Sequence, residues 1–122
     1  MYMADVIELT STQSATGCCA PGLAPRISAD QAKAIADALV LLGHPIRLQI
    51  LDMLAQSAGH VCVCDLEAAL DVKQPTVSHH LKLMREAKLI DCERRGLWAY
   101  YFINHERLSE LRTLLLGQID RL

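Results

Sequence analysis

The chain has 122 residues and a formal net charge of −2; 52% of its residues are hydrophobic but only 4% are aromatic. This length suits one domain with a single core of aliphatic side chains. The longest strongly apolar run, residues 38–43, is far too short to cross a bilayer, and the amino terminus lacks the pattern of a secretory signal. We therefore expect a protein of the cytoplasm, and neither a membrane-spanning nor a secreted one.

Charge is unevenly distributed along the chain. Residues 1–72 hold three Lys and Arg against eight Asp and Glu, whereas residues 73–95 hold six against three. A basic island in an acidic protein is the electrostatic feature expected of a nucleic-acid contact, although a solvated charged face would look the same. The island consists of Lys73, Lys82, Arg85, Lys88, Arg94 and Arg95.

The composition divides the chain into two parts. Residues 1–27 are expected to form a flexible arm, because residues 10–25 are rich in Ser, Thr, Gly, Ala and Pro and lack a sustained period. Residues 28–122 carry the periodic apolar pattern of a folded domain. We expect this second part to bind DNA and to dimerise.

Two helices are predicted at the start of the domain. The first follows a capping box formed by Ser28 and Gln31 and ends at Gly43. The second begins at Pro45, since proline is favoured in the first turn of a helix, and runs to about residue 57. Apolar residues recur at helical spacing in both.

A helix-turn-helix is predicted next. A short segment over residues 61–70 is followed by a tight connection over residues 71–73. The next helix has Pro75 at its start and runs to Ala87. Its inward face is expected to carry Val77, Leu81 and Met84.

A hairpin and a last helix complete the domain. Two runs that carry Ile, Tyr, Trp and Phe, 89–94 and 97–104, flank Arg95-Gly96 and predict a β-hairpin. Residues 106–122 are predicted to form a helix with a stripe of leucines. This stripe offers more apolar surface than so small a core can bury. Together with the first helix it therefore predicts a dimer interface. The element order is that of a winged helix-turn-helix, mainly α with a small β-hairpin.

The start of the helix at Pro75 has the chemistry of a DNA recognition helix. Its polar side chains can hydrogen-bond base edges or phosphates, and its N-terminal amides suit a phosphate. We place His79 and His80 on this polar face and the two arginines at the hairpin tip, where a wing reaches the DNA. Ordinary surface residues of an amphipathic helix would have the same spacing. The residues predicted to contact DNA are Lys73, Gln74, Thr76, Ser78, His79, Lys82, Arg94 and Arg95.

Three segments, 61–66 (VCVCDL), 74–81 (QPTVSHHL) and 95–101 (RGLWAYY), resemble the ArsR/SmtB family of metal-sensing repressors. The resemblance covers roughly residues 30–116, with the motifs in matching order, and favours the arsenic-responsive branch. It implies a homodimer that binds double-stranded operator DNA when metal-free and releases it when the inducer binds. It assigns helix and wing roles to Gln74, Thr76, Ser78, His79, Arg94 and Arg95.

Cysteines are the candidate ligands. Five of them in a reducing compartment argue against a disulfide scaffold and for metal ligands or inert core thiols. Cys62 and Cys64 lie where the first helix of the predicted helix-turn-helix begins. Residues two apart in a helix point to nearly opposite sides, so this pair can bind one ion only where the chain is extended. We therefore predict a thiol site at the helix boundary, where the helix dipole would favour thiolates.

The inducer site needs more than two sulfurs. As(III) takes three thiolates, whereas Cd(II) and Pb(II) accept three or four. In the arsenic-responsive proteins that the motif resembles, a third cysteine follows one turn later, but here that position is Glu67. The predicted donors are Cys18 and Cys19 in the arm, as in some relatives of the family. One of them would complete a site for arsenite or antimonite, and both would complete one for Cd(II) or Pb(II).

Other interpretations of these residues stay open. The same thiols would serve a redox switch, and buried cysteines are often simply small apolar side chains. Cys92 is interpreted as incidental, and His44 and His60 as local structure. The zinc site that related repressors carry on the last helix is interpreted as broken, because arginines and a glutamine replace its ligands. No enzyme and no organic cofactor are predicted, since the chain has neither a Cys-x-x-Cys motif nor a nucleophile with a paired base.

Overall fold

A computed structural model describes residues 22–57 and 59–122. Most of the predicted arm, including Cys18 and Cys19, lies outside these described residues. The division of the chain at residue 27 therefore stays a prediction.

The described residues form five helices and three strands, and the helices and the hairpin follow the predicted order. A helix-turn-helix is followed by a β-hairpin and a last helix, so the predicted winged helix-turn-helix is confirmed. The elements are α1 Ala29–Leu42, α2 Pro45–Gln56, β1 Val61–Cys62, α3 Val63–Ala69, α4 Gln74–Glu86, β2 Ile90–Arg95, β3 Trp98–Ile103 and α5 His105–Ile119.

Local capping fixes the boundaries of the first two helices. The Ser28 hydroxyl accepts from the Gln31 N–H at 3.1 Å, and the Gln31 side chain accepts from the Ser28 N–H at 2.8 Å, so the predicted capping box is confirmed. Gly43 ends α1, where an added Cβ would lie 2.8 Å from the Leu39 carbonyl oxygen. The His44 imidazole caps α2 by accepting from the Ile46 N–H at 3.1 Å.

The sheet has one strand more than the sequence predicts. β1 pairs antiparallel with β3, giving the strand order β1-β3-β2. Val61 lies opposite Tyr101, and Cys62 lies opposite Tyr100. A strand of two residues is too short to show the alternating pattern by which strands are predicted, so only its pairing partner reveals it.

The hairpin turns one residue later than predicted. Arg95 pairs with Trp98, so Gly96 and Leu97 form the two-residue turn. Gly96 has φ +64°, a left-handed backbone that favours glycine at the first position of such a turn.

The core lies between α4 and the surrounding helices and sheet. Val77, Leu81 and Met84 of α4 are all buried, as predicted from their spacing. α5 contributes the buried Leu111 and Leu115 but ends at Ile119, short of the predicted end at residue 122. Among the described residues no single helix is long and apolar enough to cross a membrane; α1 and α2 reach that length only as a pair bent by 78°.

Large apolar side chains stay exposed on two helices that contact each other. Leu39 and Val40 on α1 are 52% and 72% exposed, and Leu116 and Ile119 on α5 are 49% and 53% exposed. A cleft of about 690 Å³ lies between these helices and the end of α4. The two helices predicted to form a dimer interface therefore carry apolar surface that residues 22–57 and 59–122 leave exposed.

Candidate nucleic-acid interface and thiol site

α4 presents a polar face to solvent and an apolar face to the core. All six residues predicted to contact DNA from this helix and its N-cap are exposed: Lys73, Gln74, Thr76, Ser78, His79 and Lys82. Lys73 is the N-cap, and Pro75 lies in the first turn, as predicted. The helix is thus held by one side while its polar side remains free for a partner.

His80 does not lie on that polar face, so this part of the prediction is wrong. The side chain is 5% exposed, and its ring lies 4.3 Å from the ring of His44 between centroids. Position 80 follows Val77 by three residues and precedes Met84 by four, which places it in the buried row of the helix. Burial, together with the charges of His44, Arg47 and His79, lowers the pKa of His80 below its usual 6.5.

Arg47 joins α4 to the end of α1. Its Nε donates to Nδ1 of His80 at 3.1 Å, and its Nη1 donates to the carbonyl oxygens of Val40 and Leu41 at 3.2 and 3.1 Å. One guanidinium therefore satisfies the last turn of α1 and fixes the orientation of the His80 ring. No role for Arg47 is predicted from the sequence, although it is one of only three Lys and Arg residues before position 73.

The wing, formed by β2 and β3, carries its two arginines on opposite faces. Arg95 lies opposite Trp98 and two residues after Glu93, so these three side chains share one face. The Arg95 guanidinium lies 4.9 Å from the centroid of the Tyr100 ring, and its Nη2 lies 3.4 Å from Oε2 of Glu93. Arg94 is exposed and belongs to the other face.

Cys62 and Cys64 lie together at the boundary between β1 and α3. Cys62 is the last residue of β1 and the N-cap of α3, with the extended angles φ −65° and ψ 140°, and Cys64 lies in the first turn. Their sulfurs are 2.7 Å apart. Cys62 is buried and Cys64 is exposed. The predicted geometry, with both thiols on one side of the boundary, is present.

The thiol of Cys64 favours its protonated form more than the sequence suggests. The hydrogen bond to Cys62 raises the pKa of Cys64 above its usual 9.0, and burial and the negative charges of Cys62 and Asp65 add to this shift. The helix dipole was expected to favour thiolates here. The net shift at Cys64 is in the opposite direction, because the neighbouring thiol of Cys62 and the carboxylate of Asp65 raise its pKa.

The described residues bring together two soft metal ligands, the sulfurs of Cys62 and Cys64. No group of three or more His, Cys, Asp or Glu side chains that could hold a metal ion occurs within residues 22–57 and 59–122. Cys92 lies opposite Tyr101, on the face of the sheet away from Cys62. Glu67 lies on α3, where its carboxylate is a hard ligand unsuited to arsenic. The described residues thus bring two sulfurs together at this boundary, one fewer than the three that As(III) takes.

The chain is similar to known transcriptional regulators. A family model described as bacterial regulatory protein, arsR family, matches residues 44–91. An arsenical resistance operon repressor of Staphylococcus xylosus is 40% identical over 83 residues, covering 68% of this chain and 78% of that protein. An HTH-type transcriptional regulator of Methanocaldococcus jannaschii is 38% identical over 73 residues, covering 60% of this chain and 81% of that protein.

A solved structure has the same fold. The crystal structure of a possible transcriptional regulator for arsenical resistance superposes with a TM-score of 0.61 at 27% identity. The superposed region covers 70% of this chain and 91% of the chain in that structure. The matched family segment runs from the N-cap of α2 into β2, so it contains the helix-turn-helix and the cysteine pair.

Proposed function

Because this chain is a transcriptional repressor of the arsR family of bacterial regulatory proteins, we propose that it binds operator DNA as a homodimer in the cytoplasm and releases it when arsenite or antimonite binds cysteine thiols. The observation that carries the inducer assignment is the pair of sulfurs 2.7 Å apart at the start of α3. The name of the Staphylococcus xylosus relative supports arsenic as the inducer.

The DNA contacts follow from the two exposed polar surfaces. The first turns of α4 offer hydroxyl, amide and imidazole groups to base edges, and the basic side chains bind phosphates. The proposed contacts are Lys73, Gln74, Thr76, Ser78, His79, Lys82, Arg94 and Arg95. Two copies of α4 would read a two-fold operator, and the exposed apolar residues of α1 and α5 would form the interface between the copies.

The proposed inducer site uses Cys62, Cys64 and one cysteine of the pair Cys18 and Cys19. Each thiol replaces one oxygen on arsenic, and its proton leaves with that oxygen as water. Three thiols and arsenous acid therefore give three As–S bonds and three waters, without oxidation or reduction. The overall exchange neither releases nor takes up a net proton, so its equilibrium does not require Cys64, whose pKa is raised, to be ionised beforehand. Metal–sulfur bonds of about 2.3 Å place two sulfurs on one ion about 3.3–3.8 Å apart, so the neighbouring sulfurs of Cys62 and Cys64 lie within reach of a common ion.

Operator release tests the proposal. Fluorescent operator DNA is titrated with the reduced protein, with and without arsenite, and we expect operator affinity to fall about 5–150-fold, the usual range of coupling between sites. The variant Cys62→Ser/Cys64→Ser should keep its inducer-free affinity and lose the response. The control is Cys92→Ser, which should respond normally. Normal release by the Cys62→Ser/Cys64→Ser variant would contradict the site.

The arm cysteines decide between two inducer classes. If Cys18 or Cys19 supplies a third sulfur, the single variants Cys18→Ser and Cys19→Ser should show which one arsenite requires. A four-sulfur site for Cd(II) or Pb(II) would require both. The titrations are run under strict reduction, because a thiol redox switch would then leave operator affinity unchanged on adding any of the three ions.

A further inference from the structure

Cys62, one of the cysteine pair, shares one face of the three-stranded sheet with side chains of the wing. Cys62 on β1 and Glu93 on β2 both lie opposite Tyr100 of β3, and residues directly opposite each other project to the same side. We call the side that carries Cys62, Glu93, Arg95, Trp98 and Tyr100 the cysteine face. Neighbouring strands lie about 4.8 Å apart, so this row of side chains links the thiol site to the wing within two strand spacings.

Glu93 contacts both the residue that precedes β1 and an arginine of the wing. Its Oε2 lies 3.2 Å from Nε2 of His60, which precedes β1, and 3.4 Å from Nη2 of Arg95 in the wing. The His60 ring also packs on Phe102 of β3, with centroids 4.4 Å apart. A single carboxylate oxygen is therefore shared by the segment that leads into Cys62 and by a wing arginine.

Tyr100 supports the same arginine from the central strand. The Arg95 guanidinium lies over the Tyr100 ring at 4.9 Å, within the range of a cation–π contact. Tyr100 in turn pairs with Cys62 in the sheet. A displacement of Cys62 thus affects both contacts that hold Arg95. One is reached through Tyr100, and the other through His60 and Glu93.

We propose that Glu93 and Tyr100 are positioning residues that transmit the state of the cysteine pair to the wing arginine Arg95 across the cysteine face. This inference rests on the proposed function, because it assumes that Cys62 and Cys64 bind the inducer. An ion that binds Cys62, Cys64 and a third sulfur fixes the Cys62 side chain in a new position. β1 has two residues and Cys62 is one of them, so a displacement of Cys62 moves the strand that His60 leads into. Glu93 then loses its position between His60 and Arg95, and the wing loses its fixed arginine.

The test compares how strongly arsenite weakens operator binding in matched variants. The ratio of operator affinities without and with arsenite is expected to fall in Glu93→Ala by about 2–30-fold, the range by which linking residues alter coupling. The control, Asp91→Ala, removes the same charge from the same strand, but Asp91 pairs with Arg85 of α4 instead of with His60 and Arg95. Its ratio should stay within about twofold of the wild type.

A second pair of variants keeps the test decisive if Glu93→Ala does not fold. Tyr100→Phe keeps the ring under Arg95 and should keep the ratio, whereas Tyr100→Leu removes the ring and should lower it. Arsenite binding, followed by the absorbance of As–S bonds, should be unchanged in all four variants. An unchanged ratio in both Glu93→Ala and Tyr100→Leu would overturn the proposal, as would an equal loss in Asp91→Ala.

Trp98 separates failure of this inference from failure of the proposed function. It is the only tryptophan of the chain and lies opposite Arg95 on the cysteine face. In the DNA-free protein, arsenite should shift Trp98 emission in the wild type but not in Cys62→Ser/Cys64→Ser, and only weakly in Glu93→Ala. A full shift in Glu93→Ala overturns the link through Glu93 and leaves the proposed function intact. Absence of arsenite binding to the wild-type protein overturns both.

Discussion

The recognition helix α4 and the wing are held in place by different kinds of contact. α4 buries Val77, Leu81 and Met84 completely or nearly so, and the buried His80 is fixed by Arg47. The wing arginine Arg95 is held by a half-exposed carboxylate and the face of one ring. Packed cores do not deform continuously, whereas exposed ion pairs are worth only about 0–1 kcal/mol each. Rearranging the wing therefore costs far less free energy than moving α4 within the core.

The largest effect should come from a cavity under α4. Met84 is fully buried, so Met84→Ala should lower the free energy of unfolding by about 2–5 kcal/mol. Leu97→Ala at the wing tip, where the side chain is 91% exposed, should change it by less than about 0.5 kcal/mol. Urea denaturation measures both. Similar losses would erase the distinction between the two regions.

The next effect concerns the link between α1 and α4. Arg47→Ala should lower the free energy of unfolding by about 1.5–3 kcal/mol, because two carbonyl oxygens of α1 and Nδ1 of His80 lose a charged donor. Arg47→Lys keeps the charge but not the planar fork, and should recover only part of the loss. Lys33→Ala is the control, since its pair with Asp37 is exposed and contributes little. A loss of the same size in Lys33→Ala would contradict the structural role of Arg47.

A smaller effect should appear in DNA binding as a function of salt. If Lys82 neutralises one phosphate, Lys82→Gln should weaken binding to all sequences alike and reduce the slope of log K against log salt by about 0.9. Arg112→Gln removes the same charge from the exposed surface of α5 and should leave the slope unchanged. Equal slopes for wild type and Lys82→Gln would show that Lys82 does not contact a phosphate of the DNA.

The smallest effect is a pH dependence from His80. Its pKa is lower in the folded protein than the usual 6.5, so the unfolded chain binds the proton more readily. The stabilisation is fully present above pH 6.5 and is lost as the pH falls through the folded pKa. The free energy of unfolding should thus decline more steeply below pH 6.5 in the wild type than in His80→Gln. Parallel pH curves for the two proteins would contradict the lowered pKa.

The parts of the fold that depend on residues close to one another in the sequence were predictable from the sequence. The capping box at Ser28, the stop at Gly43 and the apolar row of α4 are local features, and the structure has each of them. β1 could not be predicted, because two residues become a strand only by pairing with β3. His80 was predicted on the wrong face because a histidine next to polar residues suggests an exposed side chain. Its position in the helical repeat nevertheless falls in the buried row.

The candidate site was predictable to a similar extent. The need for an extended backbone at Cys62 follows from the one-residue spacing to Cys64, and the structure has that backbone. The source of a third sulfur depends on residues distant in the sequence and stays a prediction. The contact of Glu93 with His60 also joins residues far apart in the chain, and only the strand order β1-β3-β2 brings them together.

Hydrogen–deuterium exchange of the reduced protein, with and without arsenite, tests most directly whether the inducer acts on the wing while α4 stays fixed. We expect arsenite to change the exchange of amides in β1 and at Tyr100 and Arg95, and to leave the amides of Leu81 and Met84 in α4 unchanged. The Cys62→Ser/Cys64→Ser variant should show neither change. Altered exchange in α4 with an unchanged sheet would contradict the account.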